Sequence, residues 1–223
     1  MKTNTLFVAD AGVLSDERLY EAACARSSAQ RKEKTDRYRF RRDRNASLGA
    51  ELLLRHALER LGIHELDYSY GEAGKPYLAG REGVFFSLSH SGDYVLCAVA
   101  DHELGADIEC VKNAKMKIAE RFFCTDEYAH IAAQETEEAR QALFFRYWTL
   151  KESFLKATGL GLRLPLNQFE VVLNSEIAVV QNVDDRSYFF REYDGVPGCK
   201  CAVCAADAPF AAELQQISIT DCL

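Results

Sequence analysis

The chain has 223 residues, of which 48% are hydrophobic, 27% charged and 11% aromatic, with a formal net charge of −7. That balance excludes a disordered polymer, a collagen-like repeat and a small disulfide knot, and a chain this long buries roughly 70% of its unfolded surface without metal or crosslink. The acidic charge argues against a surface cationic throughout that grips nucleic acid, and no apolar run approaches the ~20 residues of a membrane span. The first twenty residues meet Asp10, Asp16 and Glu17 too early for a signal peptide. The expectation is an intracellular, cytoplasmic globular protein.

In chain order, the first feature is a basic block. Arg31 to Arg44 (RKEKTDRYRFRRDR) carries eight basic and three acidic residues, a net of +5 against −12 for the rest. A basic block in an acidic protein points to an anionic ligand, and the alternative is a solvated helix face of mixed charge. Ala46 to Leu61 is a predicted helix, with apolar residues at 50, 53, 54, 57, 58 and 61 and Gly62 as its stop. A turn is expected at Gly71 to Pro76. Strands are expected at Val84–Ser89, Tyr94–Ala100 and Leu104–Val111, then helix in two pieces from Ala114 to Thr158, ahead of Gly159 and Gly161. The tail reads as strands at Phe169–Leu173, Ile177–Gln181, Arg186–Tyr193 and Cys201–Ala205. The order is mixed α+β, with a boundary near residues 101–104.

The eight cysteines (24, 97, 110, 124, 199, 201, 204 and 222) show no disulfide spacing, and the chain shows no export signal. Cys199, Cys201 and Cys204 cluster in a run of small apolar residues. Buried thiols in a strand are the expectation there, since zinc would need a fourth ligand that no nearby residue offers.

Three groups could carry chemistry. Asp107 and Glu109 are two apart in a predicted strand, so their carboxylates share a face while Ile108 points to a core. Such a pair wants a cation, and a hard one such as Mg²⁺ suits oxygen donors; paired acids on a solvated strand face are the alternative. Glu152 and Lys156 lie four apart among large apolar residues of a predicted helix, either as a third carboxylate and a cation at that site or as a surface ion pair. Ser87, Ser89 and His90 at a strand end form a candidate phosphate cradle, and Lys75 before Pro76 adds a cation on a rigid turn. A Ser–His nucleophile is disfavoured because no nucleophile-elbow motif is present.

These residues resemble the 4′-phosphopantetheinyl transferases of the surfactin-synthetase-activating (Sfp) type. The family's elements occur in order: Gly74-Lys75-Pro76, Phe86 to Ser91, Gly105 to Glu109, Arg121 to Phe123 with Glu127-Tyr128, and Trp148 to Lys156 followed by Gly159, Gly161 and Leu162. Ala46 stands where the family often has a basic residue. The resemblance implies two similar α+β subdomains, residues 1–103 and 104–223, related by pseudo-twofold symmetry with the active site in the cleft between them. It implies transfer of the phosphopantetheine arm of coenzyme A to a serine of an apo acyl or peptidyl carrier protein by a monomer, without nucleic-acid or membrane partners. Asp107, Glu109 and Glu152 would hold Mg²⁺. Glu152, or a metal-bound water, would take the serine proton, and Lys156 would stabilise the breaking pyrophosphate. Lys75, Pro76, Ser89, His90, Arg31, Lys34, Ser47 and Lys151 would contact coenzyme A. The alternatives are a non-catalytic module binding carrier proteins or anions, and another Mg²⁺-dependent phosphoryl transferase.

Overall fold

In the computed structural model, which describes residues 4–114, 116–206 and 209–223, strand β1 (Thr5–Asp10) leads into helices α1 (Glu17–Arg26), α2 (Ala29–Asp36) and α3 (Arg41–Glu59). Short strands β2 (Tyr68–Tyr70) and β3 (Pro76–Leu78) follow, then β4 (Phe85–Ser91), β5 (Tyr94–Ala100) and β6 (Leu104–Cys110). Helices α4 (Lys117–Phe122), α5 (Thr125–Ala132) and α6 (Glu137–Thr158) precede β7 (Glu170–Leu173), β8 (Ile177–Val180), β9 (Phe189–Glu192), β10 (Cys199–Ala205) and β11 (Gln215–Gln216).

Local chemistry sets the helix ends. The Asp16 carboxylate accepts the N–H groups of Arg18 and Leu19 to start α1, and the Ser28 hydroxyl accepts the Arg31 N–H to start α2. Thr136 caps α6, which ends at Gly159 with φ 71°, a left-handed position that glycine adopts without a side-chain penalty. The expected two-piece helical stretch is three helices, and it crosses Lys115, which lies outside the described residues. The extra break falls at Cys124, where the Glu127 carboxylate caps the Cys124 N–H at 2.9 Å and begins α5.

The chain forms two compact units. The first holds Met1–Tyr70, Pro76–His102 and Ala211–Leu223, and the second Gly71–Lys75 and Glu103–Phe210. In the first, a sheet of order β11-β1-β5-β4 pairs Phe7 with Cys97 and Leu88 with Cys97 in antiparallel register. Its core joins Phe7, Val95, Cys97 and Val99 to Leu48, Leu52, Leu53 and Leu58 of α3. In the second, β10 is the centre of a β6-β10-β9 sheet, and its core joins Phe144, Leu150, Phe154 and Leu155 of α6 to Ala202 and Cys204.

The chain therefore does not divide at one point. Residues 211–223 leave the second unit because β11 pairs in parallel with β1 (Phe7 with Gln215), while Ile219 and Cys222 fill the first core. The reading of the cysteines as free thiols also needs one correction. Cys110 and Cys199 are joined as a disulfide. They face each other across β6 and β10, and the Val111 N–H to Gly198 carbonyl bond of 2.8 Å next to them leaves them in a non-hydrogen-bonded pair, where side chains come closest. Cys201 and Cys204 are buried thiols, and burial pushes Cys201 up to about 12.

Candidate active site

Strand β6 and helix α6 build the charged centre of the second unit. Gly105 makes their contact so close that a Cβ there would stand 2.0 Å from the Ser153 carbonyl oxygen and 2.3 Å from the Ala157 nitrogen. No side chain fits, so the helix lies directly on the strand. Asp107 and Glu109, two and four residues on, project to the same face as Gly105, while Ile108 is fully buried on the other. Asp107 is 3% exposed, and its Oδ1 lies 2.7 Å from the Lys156 Nζ, which also donates to the Ala106 carbonyl at 3.1 Å.

Glu152 precedes Lys156 by one turn of α6. Burial raises its carboxyl above the usual 4.5, the charges of Asp107 and Glu109 raise it further, and Lys156 offsets part of this. Glu152 thus feels both strand carboxylates and the Lys156 ammonium. The ion pair shown for Lys156 runs across to the strand, to Asp107, and not along its own helix. Among the described residues no three His, Cys, Asp or Glu side chains converge tightly enough to cage a metal ion. The donor set nevertheless fits a hard divalent cation in its chemistry: all donors are carboxylate oxygens, and their mutual repulsion is what such a cation relieves.

Lys75 sits on a turn closed by the Gly71 N–H to Lys75 carbonyl bond (2.9 Å), with Gly74 at φ 86°. Its ammonium is paired with Glu103 and donates to the Leu104 carbonyl at 3.1 Å and the Ala157 carbonyl at 3.5 Å. Burial lowers its proton affinity and Glu103 restores part of it. These contacts bring Lys75 to the last turn of α6. Glu103 escaped the sequence reading; its one signal was an acid immediately ahead of the D-x-E strand.

Lys151 does not belong with the coenzyme A contacts. Its side chain is 0% exposed, and its ammonium donates to the carbonyls of Leu166 (2.8 Å) and Phe169 (2.7 Å) and pairs with Glu127 at 2.7 Å. The ring of Phe169 lies 4.2 Å beneath it. Glu127 also accepts the Cys124 and Val171 N–H groups. Burial moves both members toward neutrality, Glu127 up and Lys151 down. The physical reason for the correction is direction: Lys151 points into the core, away from the face that carries Glu152.

In the first unit, Ser89 is buried and His90 exposed on β4, as strand alternation requires. Pro76 opens β3. Ser47 is buried on α3 and accepts from the Thr35 hydroxyl at 3.1 Å. Arg31 and Lys34 stand one turn apart on α2, and burial and the Arg31 charge lower the proton affinity of Lys34. The rest of the basic block is largely structural: Arg41 bonds to the Leu14 carbonyl and to Glu17, and its guanidinium lies 3.5 Å over the Tyr20 ring. Arg42 grips Asp93 through two bonds, and Arg44 donates to the Tyr38 carbonyl.

Residues 103–204 match the 4′-phosphopantetheinyl transferase superfamily, and residues 15–103 match the 4′-phosphopantetheinyl transferase N-terminal family. The chain belongs to the 4′-phosphopantetheinyl transferases. It is 33% identical over 201 residues to 4′-phosphopantetheinyl transferase Sfp of Bacillus subtilis (strain 168), covering 88% of this chain and 89% of that protein. A second 4′-phosphopantetheinyl transferase from Bacillus subtilis is 36% identical over 188 residues, covering 82% of this chain and 84% of the relative. The gsp transferase of Aneurinibacillus migulanus is 31% identical over 194 residues, at 85% and 81% coverage.

Proposed function

We propose that the protein transfers the 4′-phosphopantetheine arm of coenzyme A to a serine hydroxyl of an apo acyl or peptidyl carrier protein, with adenosine 3′,5′-bisphosphate as the leaving group. Carriers of fatty-acid, polyketide and nonribosomal-peptide synthesis all fall in this class. Family membership supports the reaction type. The observation that carries the chemistry is the face shared by Asp107, Glu109, Glu152 and Lys156, held together by the Gly105 contact.

In this reading Asp107, Glu109 and Glu152 hold Mg²⁺, which when bound supplies neutralisation of charge developing on the pyrophosphate. Glu152 takes the serine proton as general base, a role that fits its place on the face shared with Asp107 and Glu109. The serine oxygen bonds to the phosphorus that bears the pantetheine arm, and the bond from that phosphorus to the bridging oxygen breaks. Lys156 stabilises charge on the departing oxygen. Lys75, Ser89 and His90 orient coenzyme A phosphates, with His90 at the 3′-phosphate, and Arg31, Lys34, Ser47 and Pro76 complete the nucleotide contacts. The reading includes a cytoplasmic monomer without nucleic-acid or membrane partners. Among the described residues no helix is long and apolar enough to cross a membrane.

The test is intact mass spectrometry of an apo carrier protein incubated with the enzyme, coenzyme A and Mg²⁺. A gain of about 340 Da that chelator blocks supports the metal-assisted transfer. No gain across fatty-acid, polyketide and peptide carriers rules it out.

A further inference from the structure

Glu51 stands on α3 among leucines and alanines, and its side chain is fully buried. A carboxylate in that setting needs several strong donors. They come from three elements. At the start of α2, the Ser28 N–H donates at 2.6 Å and the Ser28 hydroxyl at 3.0 Å, and the Arg31 Nε donates at 3.1 Å. The Tyr68 hydroxyl on β2 donates at 3.0 Å, and the Arg55 Nε lies 3.5 Å away one turn along α3. The Tyr68 oxygen in turn accepts from the Arg31 Nη2 at 3.4 Å.

Arg31 is therefore held by two anchors that fix the plane of its guanidinium, and Lys34 follows one turn later with its charge close by. We infer that Glu51, acting with Tyr68, is the positioning residue of this cationic corner: it sets the start of α2 and the orientation of Arg31, so that the guanidinium edge not used by Glu51 and Tyr68 is offered to a phosphate of the nucleotide substrate. The inference rests on the reading of Arg31 as a coenzyme A contact. Two physical effects follow from the geometry. Fixing the side chain before the ligand arrives removes the entropy cost of ordering it on binding. The Glu51 carboxylate also lets two neighbouring cations share one corner when no phosphate is present.

The test compares Glu51→Gln, Arg31→Gln and the double variant by the kcat and KM for coenzyme A and by the calorimetric Kd for adenosine 3′,5′-bisphosphate. Glu51→Gln should raise KM and Kd about tenfold and leave kcat within about twofold, the size of one charge-assisted contact. The double variant should lose no more than Arg31→Gln alone, because Glu51 acts through Arg31. Additive losses, or a loss confined to kcat in a folded Glu51→Gln, overturn the proposal. A silent Arg31→Gln overturns the Arg31 contact itself, whereas a silent Glu51→Gln beside a damaged Arg31→Gln overturns only the positioning step. If Glu51→Gln does not fold, Tyr68→Phe keeps the buried carboxylate on Ser28 and should raise both constants about threefold; unchanged constants there overturn the proposal.

Discussion

The Lys151 ammonium and the Glu127 carboxylate meet 2.7 Å apart with neither side chain more than 1% exposed. The pair ties α6 to the start of α5 and, through the Val171 N–H and the Phe169 carbonyl, to the entry of β7. Removing one partner leaves a buried charge uncompensated, so Lys151→Met should destabilise the protein by about 3–5 kcal/mol. Urea unfolding measures this. A Glu127→Gln/Lys151→Met double variant should recover part of the loss, and additive losses would argue against the pair.

Gly105→Ala places a methyl on the backbone of α6. Because the obstacles are main-chain atoms of Ser153 and Ala157, no side-chain rotation relieves the clash. The variant should lose at least about 3 kcal/mol, at the upper end of overpacking effects, and its turnover should fall with it. Wild-type unfolding would show that the helix does not rest on the strand.

Glu152→Gln keeps the volume and removes the base. It should retain the thermal midpoint and the Kd for coenzyme A while turnover falls by about a hundredfold or more, the scale of general-base loss. Wild-type turnover would take the proton-accepting role away from this residue. His90→Ala, on the exposed side of β4, should instead act mainly on the KM for coenzyme A.

Acid should find the first unit through Glu51. Burial alone would raise its carboxyl, but the Ser28 N–H and Arg31 overcome that and hold it below the ordinary 4.5. A depressed carboxylate contributes stability in full above its unfolded value, and loses it as pH falls from about 4.5 through the folded value. The unfolding free energy of Glu51→Gln should therefore fall less steeply than wild type below that pH. Parallel curves would show that Glu51 carries no such linkage.

The Cys110–Cys199 bridge closes a loop of 89 residues that contains α4, α5 and α6. Disulfides typically contribute about 2–4 kcal/mol, mainly through the unfolded state, and long loops such as this one lie at or above the upper end. Reductant should lower the thermal midpoint of oxidised wild type and leave Cys199→Ser unmoved. An equal response from both would assign the effect to something other than this bond.

The charged centre was legible because its logic is local. Period-two alternation put Asp107 and Glu109 on one face, and four-residue spacing put Glu152 and Lys156 on one side of a helix. What escaped depends on contacts across long stretches of sequence. Nothing in the spacing of Lys151 and Glu127 shows that they face inward toward each other, so Lys151 read as one more cation near a phosphate. The basic block read as a single feature, although Arg41, Arg42 and Arg44 are committed to partners as distant as Leu14 and Asp93. Strand β11 is two glutamines, with no apolar alternation to announce it; only the open edge of β1 gives them a place.

The edge filled by β11 also orders events on the ribosome. Phe7 and Val8 are made before every residue of the second unit, yet their neighbours Gln215 and Gln216 come after all of them. Domains near the N-terminus usually fold first as a chain emerges. Here the β1 edge of the first unit stays uncovered while the second unit is translated, and residues 211–223 close it afterwards.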